Sequence, residues 1–515
     1  MIRNKPILFP GRTLTGGVQY INLHESVDWI RNTRYVSHIA SHRPRRSYVP
    51  NSNLLSIRRS HVEVRTPTLE RSKKENPLSI LPLSSVIRSL LVTTVSSSPV
   101  LLSPCMRLLS FLAGSKSALL DPDRNSLLRY ILSKTVYTQF CAGGTPQEVK
   151  AYIQNLKSRG YTGVILGYAK EVVMDEDETS VSGVSITGRI EDAAEEQKNV
   201  REILEWKNGT MKTVELADEG DFVALKFTGA GKQALQHLLR KLPPSPQLEK
   251  AIIEICDTAK RRNVRLLFDA EQQALQHAID EWTLEFQRRY NKKEEPRALI
   301  YGTYQAYLLS TPAVLGRHLE AAQREGFILG VKLVRGAYIG SDPRHLICRT
   351  KEETDRQYDG IANSLITRRY GEILRAPAEL STTGANQGPF PFPRADLILA
   401  THNRASVKKA RAIRDQQVRE GQPLIEMGYG QLQGMADDIS CELVEEGKEA
   451  RESHVLDGEV PRVYKYLVWG TVGECMEYLV RRAQENKDAV SRTMDTRNAM
   501  STELKRRVLR VSKRP

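Results

Sequence analysis

Short apolar runs alternate with helical patterns along most of the chain. Eight runs are bounded by turn residues and rich in β-branched and aromatic residues, which is typical of strands buried on both faces. We predict strands at Gly163–Tyr168, Phe222–Phe227, Val264–Phe268, Leu299–Tyr304, Ile328–Val334, Asp396–Ala400, Leu424–Met427 and Tyr464–Trp469. Between them, apolar residues recur at helical spacing. This predicts helices at Leu248–Arg261, Ala274–Tyr290, Pro312–Arg324 and Arg404–Arg419.

Eight strands, most of them followed by a helix, are the number that closes a parallel α/β barrel. We therefore predict a (β/α)8 TIM-like barrel. An open doubly wound sheet is the competing fold, but such sheets usually carry a glycine-rich phosphate loop, and the chain has no GxGxxG or GxxxxGK[ST]. The acidic segment Val172–Glu219 and the Gly/Pro/Thr-rich segment Ala376–Pro393 are expected to be surface elaborations.

The chain divides into a basic leader, a helical arm and the barrel. Residues 1–75 contain 14 Lys and Arg and 5 Asp and Glu, so they carry +9 of the net charge of +15. An Arg-rich, acid-poor leader is typical of a mitochondrial presequence. Residues 76–145 are predicted to form an N-terminal helical arm. Residues 146–515 are predicted to form the barrel with a closing C-terminal helix, beginning at a Thr145 cap with Glu148 three residues on.

The remaining composition excludes several kinds of site. Six scattered cysteines without a CxxC pair argue against a disulfide framework and a zinc site. The uncharged run Ser89–Met106 contains two prolines and seven hydroxyl residues, which makes it a poor spanning helix. We expect Leu81–Leu119 to pack in the core, with peripheral membrane contact as the alternative. Because most of the positive charge lies in the leader, no nucleic-acid partner is expected.

Polar residues follow the predicted strands where a barrel would place its active site. A single such residue is more often a loop-anchoring hydrogen-bonder or a solvated charge, but together they indicate a catalytic mouth. The set comprises Lys226, Asp269, Glu271, Gln305, Arg335, Tyr338, His402, Asn403 and Gln431.

The segment Val472–Asn486 is predicted to be an amphipathic helix. Beside its apolar stripe, the side chains of Tyr478, Arg481, Arg482 and Glu485 share an adjoining face. Composition alone favours an exposed helix with an Arg–Glu pair. The alternative is a clamp for a carboxylate, because each guanidinium can donate two parallel hydrogen bonds.

Five motifs follow one another along the chain: LFDAE at Leu267–Glu271, TYQAYL at Thr303–Leu308, KLVRGAY at Lys332–Tyr338, ATHN at Ala400–Asn403 and YLVRRAQEN at Tyr478–Asn486. In order and spacing they resemble the motifs of the proline dehydrogenase family. The similarity extends from about Phe140 to Val490, and the basic leader together with Tyr466–Gly470 resembles the fungal branch.

The resemblance implies FAD-dependent oxidation of L-proline to 1-pyrroline-5-carboxylate. It implies that Lys226, Arg481 and Arg482 bind the substrate carboxylate. Tyr466 and Tyr478 would pack on the proline ring with Leu333 beneath it, and Asp269 and Tyr338 would complete the pocket. It also implies a membrane quinone as electron acceptor, reached by peripheral contact with the matrix side of the mitochondrial inner membrane. The implied cofactor residues are Gln305 and Lys332 at the isoalloxazine, Val334, Arg335 near the pyrophosphate, His402 and Asn403 at the adenosine end, Gln431 and Glu485.

The sequence departs from the family pattern at two places. Gly167 stands where many relatives have an acid, and Val468–Gly470 replaces a familiar Pro-Tyr-Gly. Tyr466 favours proline over hydroxyproline, since relatives acting on hydroxyproline carry a smaller residue nearby.

Two other classes of barrel enzyme remain as alternative interpretations. A Schiff-base aldolase could use Lys226 or Lys332, although it needs an apolar pocket around its lysine. A folate-reducing flavoenzyme would leave the paired arginines unexplained.

Overall fold

Eight parallel strands form a closed barrel. The computed structural model describes residues 76–115, 117, 119–169, 193–377, 391–452, 459–488 and 490–511. Neighbouring strands pair in chain order and the eighth pairs with the first, which confirms the predicted (β/α)8 barrel. The strands are β1 Gly163–Tyr168, β2 Phe222–Leu225, β3 Arg265–Phe268, β4 Ile300–Gln305, β5 Leu329–Val334, β6 Ala395–Ala400, β7 Met427–Leu432 and β8 Val463–Trp469.

Helices precede the barrel, surround it and follow it. The N-terminal arm contains α1 Leu83–Ser96, α2 Pro99–Gly114, α3 Ser126–Leu132 and α4 Thr138–Phe140. Around the barrel lie α5 Pro146–Ser158, α6 Ala193–Leu216, α7 Lys232–Leu239, α8 Pro246–Arg261, α9 Gln273–Tyr290, α10 Thr311–Glu325, α11 Lys351–Thr367, α12 Arg404–Arg419 and α13 Asp437–Glu452. After β8 come α14 Met476–Asp488 and α15 Val490–Val511.

Local sequence signals explain where the helices begin. The Thr145 hydroxyl accepts from the Glu148 amide, and the Glu148 carboxylate accepts from the Thr145 amide, so the predicted capping box is present. Ser245 caps α8, with Pro246 at its first position. The predicted helices between strands each match an observed helix to within two residues.

Seven predicted strands match, but the seventh was placed too early. It was predicted at Leu424–Met427 and is observed at Met427–Leu432. Glycine weakens the strand signal, and this strand contains Gly428 and Gly430. Gly428 is required by packing inside the barrel, because a Cβ there would lie 2.7 Å from Cε2 of Tyr464. Because the Tyr464 ring leaves no space for a side chain at Gly428, the strand lacks an apolar residue that would have revealed it in the sequence.

The interpretation of the acidic segment as surface elaboration is wrong for its second half. Residues 193–216 form α6, whose Ile203, Trp206 and Val214 are buried in the layer between barrel and helices. The indole of Trp469 at the end of β8 donates to the hydroxyl of Thr213 on this helix (3.1 Å). The first part of the segment, and most of 376–393, lie outside the described residues.

The arm packs on the end of the barrel where the strands terminate. Leu112 of α2 and Leu132 of α3 share a buried cluster with Val468 of β8 and Leu479 of α14. Helix α14 begins at Met476, four residues later than predicted. Among the described helices none is by itself long and apolar enough to cross a bilayer, while α1 and α2, bent by 99°, pass that test only as a pair.

Candidate active site

The barrel cavity opens at the carboxyl ends of the strands. Side chains alternate between the two faces of a strand. Ile165, Leu267 and Tyr464 belong to the buried cluster inside the barrel, so every second residue counted from them along the same strand also points inward. In β5, β6 and β7 every residue is buried except the last, which is partly exposed. The mouth is therefore the part of the barrel interior that a ligand can reach.

A buried ion pair lies at the centre of the mouth. The Lys332 ammonium of β5 donates to Oδ1 of Asp269, which follows β3, and both side chains are more than nine-tenths buried. The Tyr466 hydroxyl of β8 donates to Oδ2 of the same carboxylate (2.9 Å). Lys332 Nζ also lies 5.3 Å from the centre of the Tyr466 ring. Three strands thus place three of the predicted site residues in one hydrogen-bonded group.

Gly167 provides room for the tyrosine of this group. A Cβ at Gly167 would lie 3.2 Å from the Tyr466 hydroxyl oxygen, tighter than an ordinary contact. The departure from the family pattern noted at this position therefore has a packing explanation, because an acidic side chain would occupy the space beside the Tyr466 hydroxyl.

Lys226 and Tyr338 form a second group at the rim. Lys226 Nζ donates to the Tyr338 hydroxyl (3.4 Å), which donates to the carbonyl of Ala270 (3.3 Å). The Lys226 ammonium is 6.0 Å from the centre of the Tyr338 ring. Lys226 is only partly buried, so its ammonium borders the open mouth.

Gln305 joins the loops that carry these groups. Its Nε2 donates to the carbonyl of Glu271 (3.3 Å), and its Oε1 accepts from the amide of Ala337 (3.1 Å). Glu271 is buried and accepts from the amide and hydroxyl of Thr228. Gln305 and Glu271 therefore hold together the loops that follow β2, β3 and β5.

Arg335 is anchored on the outer side of the mouth. It donates to the Thr401 hydroxyl (3.3 Å), the Ser406 hydroxyl (2.8 Å) and the Asp355 carboxylate. Burial favours the neutral form of Asp355, but hydrogen bonds and charge from Lys351 and Arg335 hold its pKa below the ordinary value. Arg335 thus connects β5 with α11 and α12.

The three predicted residues on β6 and β7 stabilise the strand ends. Asn403 caps α12, its Oδ1 accepting from the Ser406 amide (3.1 Å). His402 Nε2 accepts from the Leu432 amide (3.1 Å).

Gln431 lies on the same face of β7 as Tyr429, whose ring packs in the layer between the barrel and the helices. Its amide donates to the Thr401 carbonyl (3.4 Å), and its Oε1 has no hydrogen-bond partner among the described residues.

The structure contradicts the expected position of Leu333. It alternates with Lys332 and lies on the outer face of β5, buried in the cluster formed with α10 and α11. It therefore does not lie beneath a ligand in the mouth. Its neighbour Val334, predicted as a cofactor contact, lies on the inner face and pairs with Gln305.

Leu432 is the inward apolar residue that the sequence analysis missed. Leu432 of β7 pairs with Tyr466 of β8, and both side chains pack against the buried cluster that includes Val468 and Leu479. The error in placing β7 hid it, because a strand ending at Met427 leaves Leu432 in a loop. A strand ending at Leu432 would have identified it.

The closing helix contributes an aromatic ring and two cations. Tyr478 is buried in the cluster against which Tyr466 and Leu432 pack, so α14 adjoins the mouth. The Arg482 guanidinium is buried and lies 5.0 Å from the centre of the Tyr478 ring. Arg481 is partly exposed. The side chain of Glu485 lies outside the described residues.

Fold and site together define a (β/α)8-barrel enzyme whose mouth contains a buried carboxylate–ammonium pair and three aromatic–cation pairs. The family model for proline dehydrogenase matches residues 149–495. The chain therefore belongs to the proline dehydrogenase family.

Relatives agree with this assignment, and a solved structure shares the fold. A probable mitochondrial proline dehydrogenase of Schizosaccharomyces pombe is 28% identical over 75% of this chain and 81% of that protein. A hydroxyproline dehydrogenase of Homo sapiens is 28% identical over 73% of this chain and 82% of its own length. The structure of proline utilization A from Bdellovibrio bacteriovorus matches 80% of this chain with a TM-score of 0.54. That protein is longer, and the chain covers 41% of it. At 15% identity the match shows a likeness of fold.

Replacing Lys332 tests the ion pair directly. Lys332→Met leaves the Asp269 carboxylate buried without its cation, which should lower the free energy of unfolding by about 3–5 kcal/mol. Adding Asp269→Asn should recover part of that loss, since a neutral amide needs no cation. Urea unfolding measures both effects.

The matched control is Lys351→Met, which removes an exposed ammonium paired with Asp355. It should change the unfolding free energy by no more than about 1 kcal/mol. Additive losses from the Lys332 and Asp269 substitutions would show that the two side chains do not interact.

Proposed function

We propose that this protein oxidises L-proline to 1-pyrroline-5-carboxylate, with FAD as hydride acceptor and a membrane quinone as final electron acceptor. The observation that carries the proposal is the convergence of Asp269, Lys332 and Tyr466 from three strands in the mouth of a barrel of this family. The reaction requires an amino acid and a flat acceptor to be held face to face, out of water.

The mouth residues fit a flavin. At the ends of β5, β6 and β7 the inward residues Val334, Ala400 and Leu432 are apolar and partly exposed. Such a wall suits a flat ring system, while Gln305 and Lys332 supply hydrogen-bond donors at its edge. The flavin would supply the hydride acceptor, and the protein supplies position and charge.

A diphosphate fits the outer side of the mouth. The N-terminus of a helix attracts anions, and Arg335 lies against Ser406 in the first turn of α12. We propose that Arg335 holds the diphosphate and that His402 and Asn403 order the strand end beneath the adenosine. Gln431, on the outer face of β7, orders the same strand end. We propose that its Oε1, which is buried and has no hydrogen-bond partner among the described residues, accepts a hydrogen bond from the cofactor.

The substrate carboxylate is proposed to bind three cations. Lys226 borders the mouth from β2, and Arg481 and Arg482 lie on the helix that adjoins it from above. Guanidinium groups bind a carboxylate with two parallel hydrogen bonds. Three cations around one small anion select an amino acid over a simple amine.

The ring pocket is proposed to be formed by Tyr466, Tyr478, Leu432 and Tyr338. The Tyr466 hydroxyl is committed to Asp269 at 2.9 Å, so its ring is held where a ring hydroxyl on the substrate would need space. This supports proline as the preferred substrate, although some relatives are named hydroxyproline dehydrogenases.

The Schiff-base alternative does not suit either lysine. Lys332 is bound to a carboxylate, and Lys226 is partly exposed beside a tyrosine hydroxyl. Neither has the apolar enclosure that an amine nucleophile requires.

The location is proposed to be the mitochondrion, on the matrix side of the inner membrane. The composition of residues 1–75 supports import, and two relatives are named mitochondrial. Residues 1–75 lie outside the described residues, so this part of the proposal depends on sequence alone.

Arg481→Met tests the carboxylate clamp. Removing one cation of the proposed carboxylate clamp should raise KM for L-proline about thirtyfold, with flavin content unchanged. Steady-state assays and the ratio of flavin to protein absorbance measure the two quantities. Arg419→Met, on the exposed end of α12, is the control and should leave both unchanged. Equal loss of flavin and proline binding would mean that Arg481 supports the cofactor or the fold.

Leu432→Ala and Leu333→Ala separate a pocket residue from a packing residue. Leu432→Ala should raise KM for L-proline severalfold with a small change in stability, because the side chain is partly exposed in the mouth. Leu333→Ala should lower the unfolding free energy by about 2–5 kcal/mol and leave KM nearly unchanged. The reverse result would restore Leu333 to the pocket.

A further inference from the structure

The described residues of the N-terminal arm include eleven large hydrophobic side chains that are exposed. Single exposed apolar residues are ordinary, but a concentration of them in one segment marks an interaction site. Here Val100 is 81% exposed, Leu119 77% and Phe111 62%. We call this set the arm surface; it consists of Leu83, Ile87, Leu91, Val100, Leu101, Leu108, Phe111, Leu119, Leu127, Tyr130 and Ile131.

Helix α2 has a second apolar face, besides the one that packs against the described parts of the chain. Leu102 and Leu112 are buried, whereas Val100, Leu108 and Phe111 are exposed and lie within about 80° of one another around the axis, on the side turned away from Leu102. A helix that packs on one face normally carries polar residues on the other. The second apolar face of α2 therefore needs a partner.

Helix α3 presents a stripe of the kind found at lipid–water interfaces. Leu127, Tyr130 and Ile131 follow helical spacing and are each at least half exposed. Lys134 continues the stripe one turn later, with its ammonium 5.8 Å from the centre of the Tyr130 ring. A lysine of this kind can extend its charge to the headgroups while its stem lies along apolar surface.

The charge of the arm matches an anionic surface. Residues 76–145 contain six Lys and Arg and two acids, Asp121 and Asp123, which gives a net charge of +4. Arg107 and Arg129 are exposed beside the apolar side chains of α2 and α3. Basic residues bordering an apolar helix face are typical of helices that bind anionic phospholipids.

We propose that the arm surface docks this enzyme on an anionic phospholipid bilayer, with α1, α2 and α3 lying in the interface without crossing it. The inference builds on the membrane acceptor of the proposed function and adds the surface that makes the contact. With 14 and 16 residues, α1 and α2 are each shorter than the roughly 20 residues that a span needs, and they are bent by 99°.

Docking in this way brings the mouth near the membrane. Helix α2 packs against α14, the helix that carries Tyr478 and the two arginines. A lipid-soluble acceptor in the bilayer would then lie on the side of the molecule where the barrel opens. The arm thus combines a structural role at the closing helix with membrane attachment.

A second copy of this chain, or residues 1–75, could instead cover the arm surface. The bilayer is favoured because the exposed cations beside the apolar face would repel an identical face. The experiment therefore measures oligomeric state together with vesicle binding.

The test compares the flavin-loaded full chain with Leu108→Asp/Phe111→Asp in vesicle co-sedimentation. Vesicles of phosphatidylcholine with phosphatidylglycerol should bind the unaltered protein more tightly than vesicles of phosphatidylcholine alone. The double variant should show a partition coefficient about a hundredfold lower, because two apolar side chains no longer enter the bilayer. Leu204→Asp/Leu424→Asp, at exposed leucines outside the arm, is the matched control and should bind normally.

Proline-dependent reduction of a water-soluble dye separates docking from catalysis. The double variant should keep this activity, and vesicle binding is scored even if no variant oxidises proline. If Leu108→Asp/Phe111→Asp does not fold, Leu127→Asp/Ile131→Asp on α3 replaces it. Unchanged vesicle binding by a folded variant would overturn the proposal. So would an unaltered protein that ignores vesicles while the variant changes from dimer to monomer.

Discussion

The buried carboxylate–ammonium pair of Asp269 and Lys332 is the interaction on which the candidate site depends. Desolvating two charges is expensive, and the attraction offsets that expense only when the geometry is good and the remaining lone pairs are satisfied. Here the Tyr466 hydroxyl satisfies the second carboxylate oxygen. The pair can form only if β3, β5 and β8 keep their register, so a closed barrel is a condition of the site.

The same constraint explains several features around the mouth. Gly167 lacks a side chain where the Tyr466 hydroxyl must reach the carboxylate. Gln305 and Glu271 fix the loops that follow the strands. The polar residues at the strand ends therefore serve the geometry of the mouth as well as any ligand.

The fold was predictable from the sequence because strands buried on both faces leave long apolar runs. That apolar signal is missing at Gly428, because the Tyr464 ring excludes a side chain there. The resulting error in β7 hid Leu432. Leu333 was misplaced for a different reason, since a motif gives the order of residues but not which face of a strand each occupies. Likewise the exposure of the arm could not be read from an apolar run that equally suits a core.

The most direct test of the proposed function is anaerobic titration of the purified, FAD-loaded protein with L-proline, followed by the flavin absorbance. We expect complete loss of the oxidised-flavin spectrum with L-proline, and weaker reduction with trans-4-hydroxy-L-proline because the fixed ring of Tyr466 limits the pocket. A protein that cannot be loaded with FAD, or a bound flavin that L-proline leaves oxidised, would contradict it.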